Sequence, residues 1–263
     1  MGFLRRLFGG GAPKMVQIDA WMMKPARADA TVEVVGESFH QHALLRLSGG
    51  RTPDGPAERE QLAILFPEPE NQHDRNAISA RIDGRPVGYL PRELAAAYQP
   101  VVRYAASKGR KIACDAELIG GWDDGRGSKG SFGVVLHLGS PMESMLDCIE
   151  DTEDDVRVRQ DHQWAGQLMA FTGDPQCTLA GMAIDRPAAE LLAKRAGLSV
   201  HPRVTKQVQL LVDCDPTSTS GNERKALDYG IPVVLERDFW AEIGVPVTAT
   251  SGRSSTASAP RMG

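Results

Sequence analysis

The chain has 263 residues, 41% apolar and 24% charged, which fits one large or two modest globular domains and excludes a disordered or fibrous chain. Lys and Arg number 30 against 34 Asp and Glu, so the net charge of −4 excludes a broad basic surface and confines any nucleic-acid contact to a focused site. No apolar run approaches the ~20 residues that cross a bilayer, and no membrane partner is expected.

In chain order, residues 1–30 carry five basic and two acidic residues and are expected to be a flexible N-terminal segment. Their apolar part is too short and interrupted for a signal peptide, and Arg6 stands where a myristoylation signal places Ser or Thr. Residues 31–140 read as many short strands: TVEVVGE, HALLRLS, LAILFPE, AISARI, PVGYL, KIACDAELIG and FGVVLHLG. One helix fits, RELAAAYQPVVRYAASKG after Pro91, with Gly109 as its stop. The expectation is a small β-barrel. Residues 48–60 form a turn-rich loop. GRGSKG (125–130) matches G-x-G-x-x-G literally, but a strand follows it instead of a helix, so a hairpin loop is expected there.

Residues 141–165 carry eight acidic and two basic residues and are expected to be a solvated acidic linker. Residues 166–246 alternate strand and helix with short connections, which predicts a parallel sheet covered by helices. Residues 247–263, rich in Ser, Thr and Ala, are expected to be a disordered tail.

Cys114, Cys148, Cys177 and Cys214 form no C-x-x-C pair and have no His at zinc spacing, so free thiols in a reducing cytoplasm are expected and no metal or other cofactor. His40 and His42 lack a third ligand. The excess of Arg over Lys and the abundant Ala suggest a GC-rich bacterial genome. There is no G-x-x-x-x-G-K-[ST], G-x-S-x-G or H-E-x-x-H, and the chain is expected not to be an enzyme.

The run PENQHDRNAI places Asn71, Asp74 and Asn76 between two strands that need none of them. Asn71 and Asp74 can cap their own loop as Asx-turns, or accept and donate to a ligand, and the two readings are compatible. Val87-Gly88-Tyr89-Leu90-Pro91 follows, and VVGESFHQ precedes. Together, over about 31–138, these motifs resemble the HIRAN domain, a modified OB-type barrel. The resemblance implies capture of the 3′ end of single-stranded DNA. Asn71, Asp74, Phe39, His40 and Tyr89 would form the pocket, with Phe39 and Tyr89 as stacking surfaces. Members that bind DNA can carry an Arg and two Tyr after the first-strand Gly, where this chain has Glu37, Ser38, Phe39 and His40 after Gly36.

Residues 167–246 resemble a BRCT domain through Phe171-Thr172-Gly173, Gly197, VTKQVQLLV, RKALDYGIPVV and Phe239-Trp240. That family binds phosphopeptides, protein partners or 5′-phosphorylated DNA ends. Thr172, Gly173 and Lys225 would supply a hydroxyl, a backbone N–H and a cation to a phosphate. The second helix opens with Ser220-Gly221-Asn222 where many members have Gly-Ser-Lys. On the plainer reading Thr172-Gly173 is a strand end and turn, Lys225 a solvated helix residue, and Trp240 a core residue.

The two resemblances imply an α+β two-domain protein, an OB-like barrel plus a parallel-sheet α/β domain. They imply a non-enzymatic DNA-end-binding accessory in DNA repair or replication, with a helicase, nuclease, polymerase or ligase as its partner. The alternative is a protein–protein interaction scaffold without significant DNA affinity.

Overall fold

Strand β8 (Lys111–Gly120) organises the first unit, because Ile112, Cys114, Ala116 and Leu118 alternate inward along its length. Around it the sheet runs in the order β2 (Val32–Glu33), β9 (Phe132–His137), β8, β5 (Glu60–Pro67), β6 (Ile78–Ile82), β7 (Arg85–Tyr89), all antiparallel. Strand β1 (Ala20–Met23) joins β8 in parallel. The computed structural model describes residues 18–23, 30–152, 158–215, 217 and 220–249. They divide into two compact units, one up to residue 152 and one from residue 158 onward.

The sheet curls because its two ends are joined. Just past β2, Val35 pairs with Tyr89 on β7, each N–H donating to the other's carbonyl at 2.8 Å. Gly88 makes this approach possible: at φ 154°, a Cβ there would sit 2.7 Å from Val34 Cγ2 and 2.9 Å from the Val35 carbonyl oxygen. The β6–β7 hairpin turns at Asp83 and Gly84, both at positive φ, as a two-residue primed turn requires.

Helix α2 (Arg92–Ser107) fills the curl with Tyr98, Val101, Val102 and Ala105. A 3-10 turn (Glu37–His40), α1 (Gln41–Leu47) and the short pair β3 (Arg51–Thr52) and β4 (Gly55–Pro56) complete the lower elements. The stretch 42–48, expected as a strand, is helical in α1 up to Leu47: Leu44 and Leu47 are buried three residues apart, and so short an apolar run fits either period.

Two expected flexible stretches are structured in part. Residues 20–23, inside the expected N-terminal flexible segment, are β1. The expected acidic linker begins as helix α3 (Pro141–Thr152), which buries Met142, Met145, Leu146 and Ile149. Each buried side chain contributes about 1.5–3 kcal/mol, whereas like charges on an exposed helix face cost about 0.2–0.5 kcal/mol per pair. Burial wins. One of the acidic residues also has a structural job, since Asp151 accepts from Trp21 Nε1 at 2.6 Å and pairs with Arg110. The bond from Trp21, then that from Arg110, holds the Asp151 carboxyl below its usual value. Residues 153–157 lie outside the described residues.

The second unit is a parallel sheet ordered β13 (Ser199–Val200), β10 (Leu168–Thr172), β14 (Leu210–Asp213), β15 (Val233–Leu235). Strand β14 is buried throughout, as a helix-covered parallel strand must be. Asp185 caps helix α4 (Arg186–Arg195). A Ser220–Glu223 capping box opens α5 (Gly221–Tyr229), and Gly230 in the left-handed region closes it. Helix α6 (Glu236–Glu242) buries Phe239 and Trp240, the latter donating to Glu236 Oε1 at 3.0 Å, so Trp240 is core as expected. Strands β12 (Met182–Ala183), β11 (Cys177–Leu179) and β16 (Val247–Ala249) form a small antiparallel sheet. The expected disordered tail therefore starts with a strand, and residues 250–263 lie outside the described residues. All four cysteines are buried, and none forms a disulfide. No helix among the described residues is long and apolar enough to cross a membrane.

Candidate nucleic-acid interface

The barrel site is built on the face of β5, β6 and β7 that carries Phe66, Ser79, Arg81 and Tyr89, paired across the ladder as Phe66–Ser79 and Ser79–Tyr89. Beyond β5, Glu68 lies at the centre of this face. Its carboxylate accepts from Asn71 Nδ2 at 3.2 Å and Tyr89 Oη at 3.2 Å, and pairs with Arg81 at 3.4 Å. Partial burial alone would raise the Glu68 carboxyl. Hydrogen bonds from Ser79, Asn71, Tyr89 and Arg81 outweigh it and hold the carboxyl below its ordinary value. Burial and the Glu68 charge push the Tyr89 phenol up, so Tyr89 stays a donor.

A folded pKa below the unfolded one stabilises at neutral pH, and that gain is lost as pH falls through the folded value. Glu68→Gln is therefore expected to lower stability at neutral pH by about 1 kcal/mol. Urea unfolding at stepped pH should show the gap to the parent closing in acid.

The loop from Glu68 to Ala77 is wound by its own side chains. Asn71 Oδ1 accepts from the N–H of His73 at 3.0 Å and of Asp74 at 3.2 Å. Asp74 Oδ1 accepts from Asn76 N–H at 2.9 Å, and Asp74 Oδ2 from Arg92 Nε at 3.1 Å. Both Asx-turns are thus present. They leave Asn71 one amide proton, and a carboxylate's four lone-pair sites leave Asp74 room to accept from a hydroxyl.

Phe39 is 89% exposed on the 3-10 turn, which starts at Gly36 beside the Tyr89 ring and holds its first bond from Phe39 N–H to Gly36 carbonyl at 3.2 Å. His40 is half-buried where this turn runs into α1. Asn71, Asp74, Tyr89 and Phe39 therefore belong to one end of the barrel. The surface they share also exposes Val35, at 47%. Sequence reasoning missed Glu68, Arg81 and Arg92. Period-two alternation puts Glu68 on the face of Phe66, but only the strand register shows that Tyr89 and Arg81 share that face. Arg92, 76% exposed on its side chain, supplies a cation from the first turn of α2.

The model of the HIRAN domain matches residues 30–113. Residues 30–113 are a HIRAN domain. No curated protein matches the chain. Among solved structures, the crystal structure of the HIRAN domain of human HLTF matches at 19% identity with a TM-score of 0.21, covering 46% of this chain and 86% of that one. The match ends at Ala113, inside β8, and the rest of β8, then β9 and α3, follow it in the same unit.

The second unit has its own concavity, a shallow pocket of about 390 Å³ lined by Phe171, Thr172, Gly173, Arg186, His201 and Asn222, among others. Thr172 is buried and donates to Ser220 Oγ at 2.8 Å. Gly173, at φ 71°, is required because a Cβ would lie 2.9 Å from Asp215 N and Cβ. Lys225 is exposed on α5 and does not line the pocket, but it follows Asn222 by three residues, on the same helix face. The cation that does line it is Arg186, which donates to the Gly173 carbonyl and lies 5.3 Å from the Phe171 ring centroid. Glu190, also lining the pocket, opposes an anion.

Proposed function

We propose that the HIRAN domain binds the 3′ end of single-stranded DNA and that the chain serves as a non-enzymatic accessory in DNA repair or replication. The observation that carries this reading is the convergence of Asn71, Tyr89 and Arg81 on Glu68, with Asp74 and Arg92 beside them and an exposed Phe39 on the adjoining turn. Asp74 would accept the terminal hydroxyl. The free Asn71 amide proton and Arg92 would meet the neighbouring phosphate, and Phe39 would stack on a base, worth about 1–3 kcal/mol. Arg92 offsets the missing first-strand Arg. Binding of this kind weakens steeply as salt rises, and a log–log titration by fluorescence anisotropy reads it directly.

The second unit we assign to the BRCT type, on its strand order and its Thr172-Gly173 strand end, and we give it a phosphate or a protein partner to hold. Thr172, Gly173 and Lys225 remain its candidate residues, with Arg186 as the cation inside the pocket. Two binding modules in one chain gain avidity at a nick or gap, where a helicase, nuclease, polymerase or ligase would supply the chemistry. Arg186→Ala is expected to weaken binding of a 5′-phosphorylated duplex, or of a phosphopeptide, about ten- to a hundredfold. Binding of the unphosphorylated probe should not change.

A second reading, a protein scaffold without DNA affinity, is favoured by the apolar surface of α5 and β15. Leu227 is 73% exposed, Leu235 47% and Val233 39%, and β15 is the sheet's outermost strand. Flat salt dependence and no oligonucleotide binding would select it.

A further inference from the structure

The hairpin joining β8 to β9 contains the second exposed aromatic surface of the barrel unit. Trp122 is 40% exposed, and its ring lies across Gly130, where a Cβ would come within 2.3 Å of its Nε1. Its indole N–H has no hydrogen-bond partner among the described residues. The loop beneath is held rigid by its own bonds. Asp123 and Lys129 form a cross-strand bridge and an ion pair at 2.9 Å. Asp124 Oδ1 accepts from Arg126 N–H at 2.8 Å and Ser128 N–H at 3.0 Å. Both carboxylates are thereby engaged, while the Arg126 side chain is exposed and unpaired among the described residues.

This hairpin is joined to the turn that carries Phe39. Gln41, at the end of that turn, clamps Phe132 at the start of β9: its Nε2 donates to the Phe132 carbonyl at 2.9 Å and its Oε1 accepts from the Phe132 N–H at 2.9 Å. Arg51 lies 4.4 Å from the Phe132 ring centroid and donates to the Trp122 and Gly130 carbonyls. A continuous series of contacts therefore runs from the turn that carries Phe39, where Gln41 Nε2 also donates to the Glu37 carbonyl at 3.1 Å, through Phe132 and Arg51 to Trp122. An end pocket grips a terminal nucleotide, whereas barrels that bind single strands track about 4–16 nucleotides along a groove of cations and aromatic platforms.

We infer that the β8–β9 hairpin is a second, end-independent contact for the single strand, in which Trp122 stacks on a base and Arg126 meets a phosphate. The inference rests on the DNA reading of the HIRAN domain. An exposed Trp on a bonded base and an unpaired Arg on the same hairpin are the combination that sequence-tolerant stacking needs.

The test is anisotropy of the full chain with labelled single strands of about 12 nucleotides, one with a free 3′ hydroxyl and one blocked. Trp122→Ala is expected to weaken both strands by the same factor, about 5- to 150-fold. The preference for the free end should survive. Arg126→Ala, which removes no folded contact among the described residues, should reduce the log–log salt slope by roughly 0.7–1. Trp122→Phe should retain most of the affinity. If both Ala variants bind within about twofold of the parent, or if Trp122→Ala affects only the free-end strand, the hairpin inference is overturned while the end-binding reading stands. A parent chain that binds neither strand overturns both.

Discussion

Replacing Asn71 and Asp74 together with Ala is expected to lower affinity for a free 3′ end by about a hundredfold or more, since two charge-assisted hydrogen bonds contribute about 1.5–3 kcal/mol each. The same change also removes both Asx-turns and so unwinds the loop that carries them. Asp74→Asn separates these effects. An amide oxygen still accepts from the Asn76 N–H and keeps the turn, but the negative acceptor for a hydroxyl and for Arg92 is gone. Asp74→Asn should therefore fold with a near-parental melting temperature and still lose about tenfold in end affinity. Equal affinity for Asp74→Asn and parent would reduce Asp74 to a loop-shaping residue.

Gly88→Ala is expected to cost about 2–4 kcal/mol of stability, from overpacking of about 1–3 kcal/mol and a comparable strain at a glycine-only backbone angle. The added methyl would meet the Val35 carbonyl oxygen and Val34 Cγ2, and the first of these is backbone that cannot step aside. For a unit of this size that is a drop of about 5–15 °C in melting temperature. The effect is specific to closure: the Val35–Tyr89 pair is what brings the Phe39 turn against the Tyr89 ring. Calorimetry should show the loss, and end binding should weaken with it. Gly84→Ala, with open space around its Cβ, faces only the positive-φ penalty and should cost less.

The strands from LAILFPE to FGVVLHLG were legible because alternation and turn residues agree locally. The two-residue turn at Asp83-Gly84 and the stop at Gly109 follow from positive φ alone. The errors share one cause. HALLRLS and the acidic segment after Pro141 were judged on local pattern, but each helix forms because distant elements cover it. Leu44 and Leu47 are buried in α1, and Trp21 and Arg110 bond Asp151 on α3. At the site, Asn71 and Asp74 stand out in sequence because their side chains can bond backbone or ligand between two strands, and Tyr89 because it belongs to the Val87–Pro91 motif. Glu68 does not, since a carboxylate between two prolines looks like ordinary loop composition. Its role depends on the strand register that pairs Phe66 with Ser79 and Ser79 with Tyr89, and on bonds from Arg81 and Tyr89 to it, which no local pattern encodes. In the second unit, Thr172 and Gly173 line a pocket. The pocket's cation, Arg186, arrives from the start of α4, where helix-capping signals draw attention to Asp185 instead.

The most direct measurement is equilibrium anisotropy of the parent chain with two labelled single strands differing only at the 3′ terminus, hydroxyl against phosphate, at low and at physiological salt. The account predicts tighter binding of the hydroxyl strand, by about tenfold or more, with both affinities falling as salt rises. Equal, salt-insensitive or absent binding by a folded chain would contradict it.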